Sequence, residues 1–485
     1  MGNGLMDILA IDEAAANTDA VTGNRTGRRA AYSLGNPNGS RTDVAEACQR
    51  AEVHIPVTTT RWRLQIRNWR GGAGGGVSVA VPIAFTGVWV GKQAKGSTGV
   101  MTGNFTAAPA QALPAFTLPA DGSRYTSPWV TDSANQFPAY DQWLISYGWV
   151  APAGTAIQNS LATSQWMTTG AGKSAGAGDQ TVAGISLSTL MNTSFFDAWI
   201  EYEFNGTQAV FFVAGDSRTA GYGGPTVPKA NSKNWPNLFS LLTGCPVINA
   251  GISGVTSAAL AAPASYGGLN KWGLGTDIFP DAAIIDYGTN DLGAGQQAAS
   301  VEPYLVGIYD WCRSVGIKRV LGDTIPPWGG YTIYPKLLKV GTFTTAAAAG
   351  ATSIVSDTAF AAGDSVVLDD LGSTREGITV AAGGSTGSGP YTIPLVSALV
   401  NAHPVGHELA SAAESYRRGF NKWMRTVPAG LSGVVDIDKL LSNPATGQAH
   451  TLDPAIDSGD RLHYGSLGDV RIAAAMPTRF VTPIG

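Results

Sequence analysis

The chain reads as an α/β protein, a three-layer, doubly wound parallel sheet preceded by an all-β, jelly-roll-like sandwich and interrupted by a small β insertion. Three observations predict this. From about residue 52 to about residue 206, short apolar runs alternate with polar residues and are cut by Gly, Ser and Pro. From Ala209 onward, continuous apolar runs alternate with helical patterns. Between residues 340 and 402 that alternation gives way to Ala/Gly/Thr/Ser/Val-rich sequence with brief β patterns.

Residues 1–51 form a polar N-terminal segment with a basic cluster at Arg25, Arg28 and Arg29 and a short helix expected around Asp43–Ala51; nothing in it points to chemistry. Residues 52–206 are the sandwich. In Arg61-Trp62-Arg63-Leu64-Gln65-Ile66-Arg67, strict alternation marks a half-buried strand. Gly71–Gly76 punctuates. Val77–Val90 continues as strand, with Pro82 marking an edge or a break, and similar runs recur at Trp143–Val150 and Ala198–Phe204. Residues 207–485 carry the α/β pattern. Ala209–Ala214 has the unbroken apolar character of a strand buried on both faces. A helix is expected at Trp235–Leu242, strands at Val247–Asn249 and Ala282–Tyr287, a helix at Tyr304–Val315 and a strand at Arg319–Asp323. Inside the 340–402 insertion, β patterns fall at Ser353–Val355, Ser365–Leu368 and Gly377–Val380. A helix then spans Glu408–Thr426, a strand Gly433–Ile437, and a last helix runs from Leu467 towards Phe480.

Composition narrows the function classes. At 485 residues, two or three domains are expected, and 44% hydrophobic against 14% charged residues allows sizeable cores. A net charge of −4 argues against nucleic acid as a partner, because phosphate binding needs a concentrated basic surface. Cys48, Cys245 and Cys312 are odd in number and far apart, so buried thiols are expected rather than disulfides or a zinc site. Met1-Gly2-Asn3-Gly4 offers neither the basic nor the apolar segment of a secretory signal, so entry into a cytoplasm is expected unless a signal has been trimmed away. No apolar stretch approaches the ~18 residues of a membrane span.

Four short motifs carry the chemistry. Gly215-Asp216-Ser217 follows the first buried strand, at the sheet edge where open α/β folds place ligands. Gly251-Ile252-Ser253-Gly254 follows Val247–Asn249, and glycine lets a backbone N–H approach a developing oxyanion. Gly288-Thr289-Asn290-Asp291 follows Ala282–Tyr287 and offers an amide as a second donor, or an Asx turn or helix cap. In Asp460-Arg461-Leu462-His463, the spacing lets a carboxylate accept from Nδ1 while Nε2 faces a serine. Only five histidines exist, and His54, His403, His407 and His450 lack this setting.

In order and content these motifs resemble the SGNH (GDSL-type) hydrolases, over about 207–339 and 403–485. The resemblance implies a metal- and cofactor-free serine esterase. Ser217 would be the nucleophile, His463 the base and then acid, and Asp460 its orienting partner. The N–H groups of Ser217 and Gly254 with the Asn290 amide would form the oxyanion hole. Arg218 stands where the family often has Leu, and Val255 where it often has Asp. A sandwich beside such a core resembles carbohydrate esterases, so O-acetyl or similar esters on a polysaccharide are the expected substrate. A lipid or simple carboxylic-ester hydrolase is the alternative. From another class comes a phage-tail or host-binding structural protein carrying an esterase domain, suggested by the missing signal and the insertion; a homo-oligomer is compatible with each reading.

Other motifs compete. Gly363-Asp364-Ser365 repeats the first tripeptide but leads into a strand, as hairpin punctuation would. Gly172-Lys173-Ser174-Ala175-Gly176 and Gly383-Gly384-Ser385-Thr386-Gly387 mimic a nucleophile elbow inside low-complexity tracts. The former also resembles a P-loop, but Met167 replaces its first glycine. Eight of thirteen tryptophans, among them Trp62, Trp69, Trp89, Trp129, Trp143 and Trp149, lie in the sandwich, as core residues or as faces for sugar rings.

Overall fold

A computed structural model describes residues 25–71, 76–97, 101–160, 165–169, 190–191, 193–222, 233–261, 269–328, 339–370, 372–445, 451–460 and 462–476. The Gly172–Gly176 motif, Arg461 and the stretch from residue 477 towards Phe480 lie outside them.

Five parallel strands organise the C-terminal half: β1 (Phe211–Gly215), β2 (Val247–Asn249), β3 (Ala282–Asp286), β4 (Arg319–Asp323) and β5 (Gly433–Val435), in the order β2-β1-β3-β4-β5. Among the described residues the α-helices are α1 (Ser217–Ala220), α2 (Trp235–Thr243), α3 (Ser257–Ala261), α4 (Thr289–Gly293), α5 (Ala298–Ser314), α6 (Ala412–Met424), α7 (Ile437–Leu441) and α8 (Ser466–Ala475). Alternate strand residues feed two cores, which is why the apolar runs are unbroken. Phe212, Ala214, Ala283 and Ile285 join Leu305 and Ile308 of α5, whereas Phe211, Val213, Ala282 and Ile284 join Phe239 of α2 and Ile472 of α8. Burying Phe211 and Phe212 contributes on the order of 2 kcal/mol each. The strand order reverses between β1 and β3, so their C-terminal ends frame a crevice. Ser217 and Asn290 follow those ends.

The N-terminal half is all β. One antiparallel sheet runs Arg25–Gly35, Asp197–Gly206, Thr59–Arg67, Tyr125–Thr126; the main path of another runs Phe116–Thr117, Ala84–Lys95, Trp143–Val150, Glu46–Val53, Gln165–Thr169, Leu190–Met191. Along Thr59–Arg67 the alternation is realised: Trp62, Leu64 and Ile66 are buried in the core with Phe85, Ile145 and Trp149 of the second sheet. The arginines between them face acidic residues directly opposite on Asp197–Gly206, as Arg61–Glu203 (2.6 Å), Arg63–Glu201 (2.7 Å) and Arg67–Asp197 (2.8 Å). Trp129 covers this ladder, 4.5 and 4.7 Å from Arg61 and Arg63. Trp62, Trp69, Trp149 and Trp199 are buried, favouring the core role for these four. Val77–Val90 divides into Val77–Ser78 and Ala84–Lys95, with Pro82 in the gap.

Three expectations are corrected. The helix around Asp43–Ala51 is instead the strand Glu46–Val53, flanked by Trp143–Val150 and Gln165–Thr169. Its helix-favouring Ala, Gln and Arg are overridden by partners in the sheet: Gln49 donates to Tyr147 Oη (2.5 Å) and Arg50 to Gly103 O (3.1 Å). α5 starts at Ala298 and takes Pro303 inside it rather than beginning after that residue. Glu408–Ser411 is a strand, because it bonds between Val340–Thr345 and Ser365–Leu368, and α6 starts only at Ala412. The inserted six-stranded sheet therefore reaches Ser411, around its own core of Phe343, Ile354, Val366, Leu368, Ile393 and Leu409. Cys48, Cys245 and Cys312 are buried thiols rather than disulfide partners; burial pushes the Cys48 thiol up to about 12 and that of Cys245 up to about 11. No helix among the described residues is long and apolar enough to cross a membrane.

Candidate active site

Ser217 opens α1 directly beyond β1. Asp216 caps the helix, its Oδ1 accepting from Arg218 N (3.0 Å), and Gly221 closes it in the left-handed conformation. Ser217 is buried apart from 8% of its surface. Its Oγ lies 2.8 Å from His463 Nε2. His463 Nδ1 lies 2.6 Å from Asp460 Oδ2, while Asp460 Oδ1 accepts from the backbone of Leu462 (3.0 Å) and His463 (2.8 Å) and from Ser458 Oγ (3.1 Å). The loop thus closes on its own carboxylate, which presents the imidazole towards Ser217. Burial alone would raise Asp460; the hydrogen bond and charge of His463 with the two backbone N–H groups outweigh it and bring the carboxyl down to about 2. Tyr222, just past α1, sets its ring edge-on to the His463 imidazole at 4.5 Å.

The other two motifs gather at the same crevice. Gly251 packs on α1 so closely that a Cβ there would stand 2.3 Å from Ala220 N, a place only glycine can fill. Asn249 ties the loop down, donating from Nδ2 to Thr219 O (2.9 Å) and accepting from Gly251 N (2.9 Å). Gly254 has φ +76° and is exposed. Asn290 lies in the first turn of α4 behind the N-cap Gly288, and its Nδ2 donates to Val255 O (2.9 Å), joining the third motif to the second. Asp291 accepts from Ser257 N and Oγ (2.9 and 2.8 Å), a structural role at the start of α3.

Beneath Ser217 lies a buried ionic cluster that the motifs do not reveal. Arg218 Nη2 donates to Asp286 Oδ1 (2.9 Å), and Thr219 Oγ1 donates to Asp286 Oδ2 (2.6 Å). Asp216 and Asp323 are buried in the same cluster. Burial drives Asp286 up to about 6 against the pull of Arg218, and burial beside Asp286 holds Asp323 well above the usual carboxylate range. The Arg218 departure thus goes with Asp286 on the neighbouring strand. The signal available in sequence was a carboxylate ending each of two strands after apolar residues, at Asp286 and Asp323.

The competing motifs lie elsewhere. Ser365 opens an antiparallel strand paired with Glu376–Thr379 and Glu408–Ser411. Ser385 Oγ is held by Phe360, donating to its O (2.8 Å) and accepting from its N (2.7 Å).

The sequence profile of the GDSL-like Lipase/Acylhydrolase family matches residues 213–470, more than half of the chain. Several solved structures align with it. A G-D-S-L family protein from Desulfitobacterium hafniense is 12% identical, with 56% of this chain and 99% of that one covered and a TM-score of 0.31. A member of the lipolytic G-D-S-L family from Veillonella parvula is 14% identical, covering 55% and 94%, with a TM-score of 0.31. AlinE4, a SGNH-hydrolase family esterase, is 31% identical over 25% of this chain and 61% of its own, with a TM-score of 0.20. No curated protein matches the chain.

Proposed function

Because the chain belongs to the GDSL-like lipase/acylhydrolase family and is an SGNH-type serine hydrolase of carboxylic esters, we propose that Ser217, His463 and Asp460 are its catalytic triad. The observation that carries this is the unbroken chain of contacts from Ser217 Oγ through His463 to Asp460, at 2.8 and 2.6 Å. As Oγ attacks the ester carbonyl carbon, His463 Nε2 takes the hydroxyl proton and Asp460 steadies the imidazolium through Nδ1–H. The negative oxygen of the tetrahedral intermediate meets the N–H groups of Ser217 and Gly254 and the Asn290 amide. Collapse expels the alcohol, which takes the proton from His463, and leaves an acyl group on Ser217. Water, deprotonated by the same imidazole, then releases the acid and restores the serine.

The substrate we favour is an O-acetyl or similar small ester on a polysaccharide. In support, the all-β half lies directly against the Gly254 loop, with Asn38 Nδ2 on Ser253 O at 3.0 Å, as a sugar-chain platform beside the cleft would. We take residues 52–206 as a jelly-roll-like sandwich domain, completed by strands from before residue 52. Residues 207–485 are then a three-layer hydrolase domain holding the β insertion, which begins near residue 340 and whose sheet reaches Ser411. The separate core of that insertion favours, as a second reading, a host-binding or phage-tail component carrying the esterase. Native mass separates them: a trimer supports the second, and a monomer active on soluble acetylated sugars counts against it.

The direct test compares wild type, Ser217→Ala and Ser365→Ala on a short-chain chromogenic ester and on acetylated polysaccharide. Ser217→Ala should lose roughly 10⁴-fold or more in kcat/KM. Ser365→Ala should match wild type. Full activity in Ser217→Ala would sink the triad, and turnover of the simple ester alone would remove the polysaccharide.

A further inference from the structure

The loop that carries Gly254 is held from outside the hydrolase sheet. Two asparagines just past the first strand of the all-β half reach across to it: Asn36 Nδ2 donates to Asn249 O and Asn38 Nδ2 to Ser253 O, both at 3.0 Å. Both residues are themselves anchored, Asn38 through its backbone and Asn36 through its side chain. Asn38 N donates to Asn159 O (3.0 Å) at the start of Gly39–Arg41, which pairs with Ile157–Ser160. Asn36 Oδ1 accepts from the buried Lys271 Nζ (2.7 Å), which also pairs with Asp197. Nearby, Gly71 N donates to Pro37 O (3.0 Å), and Gly71 packs so near Ile252 that a Cβ there would come within 2.8 Å of its Cδ1.

Ser253 O and Gly254 N belong to one planar peptide, with C=O and N–H pointing in opposite directions. That peptide is the centre of a four-residue turn closed by Val255 N on Ile252 O (3.4 Å). Of its two central residues only Gly254 has positive φ, +76°, which is the type II arrangement. Types I and II differ by a flip of the central peptide, and a flip would turn the Gly254 N–H to the opposite side. A donor held on Ser253 O fixes the peptide in one of the two states and polarises its N–H.

We propose that Asn38 is a positioning residue for the oxyanion hole: by donating to the Ser253 carbonyl, it holds the Gly254 N–H towards the reacting carbonyl, so that the all-β half completes the hydrolase site. This rests on the assignment of Gly254 as an oxyanion donor. Asn38 touches no reacting atom in this role; it sets the direction of one that does.

The test measures kcat and KM on a short-chain ester, and affinity for a trifluoromethyl ketone that forms a hemiketal oxyanion, in Asn38→Ala and in the near-isosteric Asn38→Asp. Outright loss of one oxyanion donor costs about 10²–10³-fold in kcat, so loosening one should cost about 10-fold in Asn38→Ala. KM should stay within about 2-fold, and ketone affinity should fall in parallel with kcat. Asn38→Asp, which puts an acceptor where the donor stood, should fall further. Gln136→Ala is the control. It breaks bonds inside the all-β half but away from Asn38, to Val130 O (3.0 Å) and to Asp132 O (2.9 Å), and should lower Tm while kcat holds. Folded Asn38 variants with unchanged kcat, or with a lower Tm alone, overturn the proposal. Asn290→Ala separates the two levels. If it too keeps full kcat, the oxyanion assignment itself fails; if it loses about 100-fold while Asn38→Ala does not, only the role of Asn38 fails.

Discussion

Gly-Asp-Ser occurs twice in this chain, at 215–217 and 363–365, and the two copies have different fates. The first ends a parallel strand whose residues are all buried, and its serine begins a helix beside His463. The second begins an antiparallel strand in the inserted sheet, and its serine is exposed. Both aspartates make local turns: Asp216 accepts from Arg218 N (3.0 Å), and Asp364 accepts from Ala361 N (2.8 Å). The next residue differs most, since Arg218 enters a buried carboxylate cluster while Val366 enters an apolar core. A tripeptide therefore has no chemistry of its own; the strand before it and the residues brought to it from 246 positions away decide.

The largest effect that can break this comparison concerns the carboxylates around the two copies. Asp460→Asn should lower kcat by about 10³–10⁴-fold on any ester that is turned over, because it disturbs the His463 tautomer. Asp364→Asn should leave the rate unchanged. Equal effects would erase the distinction.

Arg218→Leu comes next. It strands Asp286 and Asp216 without their cation and should cost about 3–5 kcal/mol, read as a shifted denaturant midpoint. Adding Asp286→Asn should recover a large part of the loss, since removing a buried pair together is far milder than removing one partner. No recovery would mean that Arg218 acts through packing instead.

The smallest effect is acid sensitivity. Asp460 is held at about 2 in the folded chain, against an ordinary value near 3.8. Its stabilisation is therefore complete above about pH 4 and is lost as pH falls through about 2. The amount is on the order of 2 kcal/mol. Unfolding followed from pH 5 to pH 2 should show this dependence in wild type and lose it in Asp460→Asn. An identical slope in both would contradict it.

Much of the α/β half was legible because each signal was local. The run at Val247–Asn249 is a strand of those bounds, and Arg319–Asp323 likewise. Asp460 and His463 are three residues apart, so one loop fixes their contact. What was illegible depends on distant partners. Glu46–Val53 has a helix-compatible composition and is a strand only because sheet neighbours take both its edges. The N-terminal segment offered no chemistry by itself, yet Asn36 and Asn38 bond to residues 213 and 215 positions away. Tyr222 gave no signal either, because its ring meets an imidazole supplied near the other end of the chain.

The proposed triad makes Ser217, not its duplicate, the activated nucleophile. An alkyl fluorophosphonate, which captures a serine only when a neighbouring base raises its nucleophilicity, tests it most directly. After reaction and peptide mass analysis, one adduct is expected, on the peptide containing Ser217, and it should be lost in His463→Ala. An adduct on the peptide containing Ser365, or labelling of Ser217 that persists without His463, would contradict it.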